Sequence, residues 1–423
     1  MLKMGTYIND EKRKNKLKWF NDARFGMFIH WGLDCIRGTG EWAVFRESIP
    51  SSEFSKYADS FNPQYFDPRE WARAAKRAGM KYMVLTTKHH SGFCLFDSAH
   101  TDYTSVKTAA KRDFVREYVE ACRAEGLGVG LYFSLQDWSF PAAFKGPVKD
   151  PEGWDKLVAY AHNQVRELMT NYGKIDILWY DGCGFTDLKG IWENGKSDGE
   201  NWKAVELNTM VRELQPEILI NDRSGIKEDF GTPEQTIALV AERDHMEECC
   251  LTINDSWGHN PSDYNWKSSR ELIRNLIMCA ANGNNLLLNV GPDRDGLITA
   301  PEIERLYDIG GWLDIHKEAI YGTDLKFSQW WNLMNCPGVY TVTTKDTYAY
   351  VVLDRWDVRN GFKLTSIKNN VLSASVLATE EQLDVRREGR IVSVTGLPHY
   401  PPSNFFNVIK LELDGPLETQ FWE

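Results

Sequence analysis

The sequence predicts an α/β fold of repeated βα units that gives way to a C-terminal β-sandwich. Strand-like runs alternate with helical ones from Phe25 to His316. Those runs are almost continuously apolar, as strands covered on both faces of a parallel sheet are. From about Leu325 the helical period stops, and short alternating segments separated by Gly, Pro and Asn take over. The expected division is therefore 1–324 and 325–423. The 423 residues hold a barrel and a smaller module comfortably.

The elements follow in order. The first strand is Phe25 to Trp31 (FGMFIHW). A helix around Arg69 to Ala78 closes at Gly79, and Lys81 to Thr87 is a buried strand. A helix from Asp113 to Glu125 closes at Gly126 and feeds the strand Gly128 to Ser134. Gly153 to Tyr172 is helical, Ile175 to Tyr180 a strand, Asn201 to Leu214 helical, and Ile218 to Asn221 a strand. A long irregular stretch follows. Then come the helix Ser268 to Ala281, the strand Asn285 to Val290, which is the seventh, and the helix Glu302 to His316. In the last part, Val339 to Leu353 reads as a hairpin turning at Lys345-Asp346, with Arg390 to Val394 and Asn407 to Leu413 as further strands. Such βα repeats make either a closed barrel or an open doubly wound sheet. No GxGxxG follows the first strand, which counts against a dinucleotide-binding sheet.

Composition narrows the function. A formal net charge of -11 suits neither nucleic acid nor a membrane surface. The basic run from Lys12 to Lys18 falls in a helix and reads as a solvated face. The sixteen Trp are in excess. An indole offers a flat apolar surface with one polar handle, which suits the C–H face of a sugar as well as a core. The eight Cys form no CxxC pair, so neither a zinc ribbon nor a disulfide framework is expected. The N-terminus has no apolar leader and no long apolar run occurs. This reads as a cytoplasmic chain, and a secreted or periplasmic chain whose leader has been removed reads the same way. Oligomeric state stays open, a homo-oligomer included.

In a barrel, chemistry collects where strands end. Here they deliver His30-Trp31-Gly32, Lys88-His89-His90, Tyr132 and Phe133, Trp179-Tyr180-Asp181-Gly182, Asn221-Asp222-Arg223 and Asn289-Val290-Gly291. Asp181, after an apolar strand and before Gly182, is the sharpest candidate, although Asp-Gly is also turn chemistry. Glycoside hydrolysis needs a second carboxyl group. Glu234, in the loop-like DFGTPE, is one partner; Glu242, Glu247 and Glu248 compete with it. His30, His89 and His90 suit either sugar hydroxyls or a metal ion, but the first strand lacks the His-x-His of metal-dependent barrels. Adjacent His89 and His90 on a strand would point to opposite faces unless a bulge re-aims one. Glu41 beside Trp42 pairs a hydroxyl-binding carboxylate with a stacking surface. Arg223 either holds a hydroxyl or orients a carboxylate.

Taken together and in order, these stretches resemble the α-L-fucosidases of glycoside hydrolase family 29. The matching segments are RFGMFIHWG (24–32), Gly40-Glu41-Trp42, AGMKYMVLTTKHHSGF (78–93), ACRAEGLGVGLYFS (121–134), LMTNYGKIDILWYDG (168–182), Asn221-Asp222-Arg223, NNLLLNVGP (284–292) and GGWLDIHKEAIYGT (310–323). The resemblance implies a (β/α)8-like barrel followed by a C-terminal β-sandwich. It also implies retention of configuration, no metal, no cofactor, and fucosylated oligosaccharides or glycoconjugates as substrate. It places the nucleophile on Asp181 and the acid/base on Glu234. Substrate contacts fall on His30, Glu41, Trp42, His89, His90 and Arg223, with Tyr132 or Phe133 nearby. Phe28, Trp179 or Trp257 would form an apolar wall for the sugar's methyl group. Similar proteins read His-His-Asp-Gly-Phe where this chain has Ser91.

Overall fold

The computed structural model describes residues 10–184, 195–238, 246–323 and 338–420. Eight parallel strands form one sheet: β1 Phe25–Ile29, β2 Tyr82–Lys88, β3 Gly128–Ser134, β4 Ile177–Asp181, β5 Leu219–Ile220, β6 Phe230–Gly231, β7 Met246–Thr252 and β8 Asn285–Val290. They run in the order β5-β4-β3-β2-β1-β8-β7-β6. A single bridge between Asn221 and Phe230 joins the two outer strands, so the sheet curls into a nearly closed barrel. Asn285 to Val290 is thus the eighth strand, not the seventh. The irregular stretch hides two more: β6, only two residues long, and β7, whose MEECCLT carries two acidic residues directly after its first.

Local chemistry sets the helices between the strands. Asp67 caps the helix Pro68–Arg77 and Asp113 caps Phe114–Glu125, which ends on the left-handed Gly126. Thr299 and Glu302 form a capping box at the start of Ala300–His316. Glu302 also accepts the Gly291 N–H at 2.8 Å, tying that helix to the end of β8. In the helix Asp10–Ala23, Lys12, Lys14 and Lys18 are exposed as expected, while two other basic residues turn inward. Arg13 pairs with buried Asp229 at 2.7 Å, and Lys16 pairs with Asp176. This helix therefore braces β4 and β5 where the barrel seam is weakest.

Seven further strands follow: β9 Val339–Lys345, β10 Tyr348–Leu353, β11 Phe362–Leu364, β12 Val371–Val376, β13 Asp384–Glu388, β14 Ile391–Thr395 and β15 Asn407–Leu413. They make a four-stranded sheet (β12-β15-β10-β9) and a three-stranded one (β11-β14-β13), both antiparallel. Val351, Ile409 and Leu411 of the first pack with Phe362, Leu364 and Val394 of the second. The expected hairpin turns at Asp346, with φ 53°. Helices Ser269–Ala281 and Ala300–His316 carry this sandwich on hydrogen bonds such as Trp312 Nε1 to Phe406 O, 2.9 Å. The expected division at 324/325 falls in 324–337, outside the described residues, as does Cys336. The other seven cysteines form no disulfide among the described residues. No helix among the described residues is long and apolar enough to cross a membrane.

Two neighbouring glycines in helix Ala300–His316 test its packing against helix Pro68–Arg77. A Cβ on Gly310 would sit 2.1 Å from the Arg77 carbonyl, whereas one on Gly311 meets nothing within 4 Å. Gly310→Ala should cost about 1–3 kcal/mol, because backbone must move. Gly311→Ala should stabilise by about 0.4–1 kcal/mol. Urea unfolding of both variants checks the contrast; equal effects would contradict the close approach.

Candidate active site

At the C-terminal ends of the strands lies a cavity of about 250 Å³. Its floor is aromatic. Phe28, Tyr132 and Trp179 point up from β1, β3 and β4, with Tyr132 and Trp179 stacked at 5.6 Å and 19°. Beneath them, buried Glu248 accepts from Trp179 Nε1 at 2.9 Å and from the Tyr82 hydroxyl. Burial pushes the Glu248 carboxyl up to about 7, against those two hydrogen bonds.

Asp181 ends β4 at the cavity wall, with 22% of its side chain exposed. Asn221 fixes the strand end by bonding both the N–H and the C=O of Tyr180 at 2.9 Å. Asp181 Oδ1 accepts from Arg223 Nη1 at 3.0 Å, and Oδ2 accepts from the Tyr132 hydroxyl at 2.9 Å. Burial alone would raise this carboxyl; the Arg223 charge and the Tyr132 hydroxyl outweigh it and hold it below the usual aspartate value. Arg223 is used to its full width. Nε donates to Thr232 Oγ1 at 2.8 Å, Nη2 donates to Thr232 O at 3.1 Å and to Glu234 Oε2 at 2.9 Å, and the plane lies 4.6 Å over Trp179.

Glu234 stands at the mouth, 44% exposed. Its loop is held to β7, since Gln235 N donates to Cys250 O and Cys250 N to Pro233 O, each at 3.0 Å. Of the competing glutamates, Glu248 lies inside the barrel and Glu247 at the opposite end of β7; neither lines the cavity. Glu242 lies outside the described residues.

His30, His89 and His90 all line the cavity. The pairing of β2 with β3 shifts register between Thr86 and Lys88, and β2 stops there. Strand alternation therefore lapses, and both histidines turn inward with rings 4.2 Å apart. Lys88 points away to buried Asp137 at 3.3 Å. Tautomers follow from the partners. Asn289 Nδ2 donates to Trp257 O at 2.7 Å, so its Oδ1 accepts from His30 Nδ1–H at 2.6 Å. The Ser134 hydroxyl donates to Gln136 O at 2.7 Å, so it accepts from His90 Nδ1–H at 2.6 Å. Each ring then presents an unprotonated Nε2, that of His90 lying 3.7 Å from Asp181 Oδ2. Burial holds both rings down at about 4 and His89 well below 6.5.

Trp42 borders His90 at 5.3 Å and lines the cavity. Glu41 does not line it. It is buried behind, its Oε2 accepting the Gly258 N–H at 2.8 Å, next to Asp34, which burial and then Glu41 push up to about 7. Phe133 faces the core. For a metal ion the candidate trio is His89, His90 and Asp181, whose ligand atoms lie within 4.8 Å of one another; His30 is not in that group. Both Asp181 oxygens are already engaged, and the adjacent guanidinium charge opposes a cation there. Sequence reasoning assigned no role to Asn289, Ser134 or Thr232. Asn289 lies inside a matched segment, but nothing in the pattern tells a hydroxyl-binding residue from one that orients it.

The sequence model of the alpha-L-fucosidase family matches residues 4–318. The chain belongs to that family. It is a glycoside hydrolase, 30% identical to an alpha-L-fucosidase of Dictyostelium discoideum over 79% of this chain and 77% of that one. It is 29% identical to the tissue alpha-L-fucosidase of Homo sapiens over 91% and 86%. Among solved structures it is similar to alpha-L-fucosidase isoenzyme 1 from Paenibacillus thiaminolyticus, with TM-score 0.84 and 36% identity over 95% of this chain and all of that one. It is also similar to the family 29 alpha-L-fucosidase of Bacteroides thetaiotaomicron, solved as a trapped covalent intermediate with 2-fluoro-fucosyl fluoride (TM-score 0.85, 28% identity, 98% and 99% covered).

The buried titratable groups predict how stability responds to pH. His90 stays neutral in the fold down to about 4, while an unfolded imidazole protonates at 6.5, so its contribution is lost as pH falls between those values. Glu248 acts oppositely. The fold keeps it protonated up to about 7 while the unfolded chain ionises it above 4.5, so acidification through that window adds stability. Urea midpoints between pH 6.5 and 4.5 should fall less in His90→Gln than in wild type, and more in Glu248→Gln. The reverse ranking would contradict these protonation states.

Proposed function

We propose that this α-L-fucosidase acts on terminal α-L-fucosyl groups with retention of configuration, through a covalent fucosyl-enzyme on Asp181. The observation that carries this reading is the single guanidinium shared by Asp181 and Glu234 at 3.0 and 2.9 Å. Two carboxyl groups on one guanidinium are close neighbours. That spacing suits direct attack, in which the pair sits about 5–5.5 Å apart, better than the wider gap that admits a water.

In the first step an Asp181 oxygen attacks the anomeric carbon while Glu234 gives its proton to the departing glycosidic oxygen. In the second, Glu234 takes a proton from water, the water oxygen bonds to the anomeric carbon, and the ester to Asp181 breaks. Arg223 and Tyr132 keep Asp181 ionised for attack. His30 and His90 offer Nε2 to sugar hydroxyls, and these contacts would strengthen at the oxocarbenium-like transition state. His89, Trp42 and the Arg223 face complete the polar wall. Phe28, Trp179 and Trp257 supply an apolar surface for the C5 methyl of fucose. Glu41, lying behind Trp42, would act on the sugar through the loop it holds. The substrates are fucosylated oligosaccharides or glycoconjugates.

The reading is checked on 4-nitrophenyl α-L-fucopyranoside with purified enzyme. Turnover should survive a chelator and fall by about 10⁴-fold or more in Asp181→Ala. Glu234→Ala should lose about 10²–10⁴-fold on a natural glycan and less on the aryl fucoside, whose leaving group needs little protonation. Proton NMR should show the α-anomer of fucose released first. The β-anomer first, or an active Asp181→Ala enzyme, would sink the proposal; loss of activity in chelator would favour the His89, His90, Asp181 cluster as a metal site.

A further inference from the structure

A second cavity, of about 210 Å³, lies beside the first and shares one residue with it, Trp257. It is built by the segment after β7 and by the ends of two other elements, with Gly291 just beyond β8 and Thr299 at the head of helix Ala300–His316. Its aromatic surface comes from Trp257, Tyr264 and Trp266. Its polar groups include Asn254, His259 and Asp263. Flat apolar faces interleaved with hydrogen-bonding groups suit a pyranose ring, which has C–H faces and an equatorial fringe of hydroxyls. The volume is close to that of the neighbouring cavity, which takes one deoxyhexose in the proposed reaction.

Three observations separate this from an incidental groove. Tyr264 is 80% exposed, so its ring does not serve the core. The loop carrying it is braced from within: Asp263 Oδ2 accepts from Asp255 N–H at 2.9 Å and from the Ser256 hydroxyl at 2.8 Å, and Asp263 Oδ1 accepts from Asn265 N–H at 3.1 Å. The aromatic side chain is thus presented on a fixed support. Finally, the partition is tied to the sugar-binding histidine, because Asn289 bonds both the Trp257 carbonyl and His30. The two cavities therefore meet at one indole, that of Trp257.

We infer that this second cavity is a subsite for a sugar ring of the leaving-group oligosaccharide, with Tyr264 as a stacking platform. The inference rests on the fucosidase reading above. It is tested by comparing kcat/KM on 4-nitrophenyl α-L-fucopyranoside with kcat/KM on fucosylated oligosaccharides carrying one, two and three further sugars. The wild-type enzyme should gain on lengthening the leaving group. Tyr264→Ala should lose about threefold to tenfold on the longer substrates and nothing on the aryl fucoside, while Tyr264→Phe, which keeps the ring, should behave as wild type. Equal loss on every substrate, or no loss on any, would overturn the subsite while leaving the fucosidase reading intact. Absence of wild-type turnover on the aryl fucoside would instead sink that reading.

Discussion

Arg223 is the constraint around which the site is arranged. A nearly buried guanidinium is tolerable only when its donors are matched by acceptors, and removing one partner leaves an expensive uncompensated charge. Here Asp181, Glu234 and Thr232 supply acceptors at 2.8 to 3.1 Å, and Trp179 lies against the flat face. Those partners come from the end of β4 and from the segment after β6. A single side chain therefore fixes the distance between two barrel positions, and with it the chemistry available there. It also sets charge: an arginine keeps its proton, so the carboxyl facing it stays ionised despite burial.

The same need explains the irregular side of the barrel. Strands β5 and β6 have two residues each, joined by the Asn221–Phe230 bridge and by Asp229 N–H to Ile220 O at 2.9 Å. Residues that would lengthen these strands instead turn aside to deliver Arg223 and Glu234 to the cavity, with Thr232 as an acceptor for Arg223. The seam regains support from Asp229, buried below, which accepts from Arg13, Arg212 and the Ile220 N–H. Ladder hydrogen bonds on this side are replaced by a charged hub and by the N-terminal helix.

Legibility in the sequence follows this division. Where strands are long and apolar, as in β1, β2, β3, β4 and β8, pattern alone locates them and the residues at their ends. Where the chain departs from regular structure, the pattern fails. The two-residue β6 is too short to carry a period, and the acidic opening of β7 disguises a buried strand. Glu248 shows the cost: as a sequence it is one more glutamate near the site, yet two aromatic donors let the barrel interior hold it. His89 and His90 show the converse. Adjacent residues on an ideal strand diverge, and only the register shift at the end of β2 lets both face inward. Residues such as Asn289 and Ser134 stay silent because orienting a histidine leaves no spacing signature.

The depth of the cavity bears on how a glycan would enter. Below Phe28, Tyr132 and Trp179 the barrel is filled by Tyr82, Glu248 and further side chains, so a chain has no way through the floor. Any sugar reaching Asp181 must come in by the mouth and end there, which supports action on terminal residues. Asp181 lies deeper than Glu234, 22% against 44% exposed. That gradient matches the proposed division of labour. In the proposed mechanism, attack would fall on the enclosed side of the ring, and protonation where the leaving group departs and where water must later enter. A groove open at both ends would let a polymer slide past both carboxyl groups; a closed floor fits the proposed action on one terminal residue at a time.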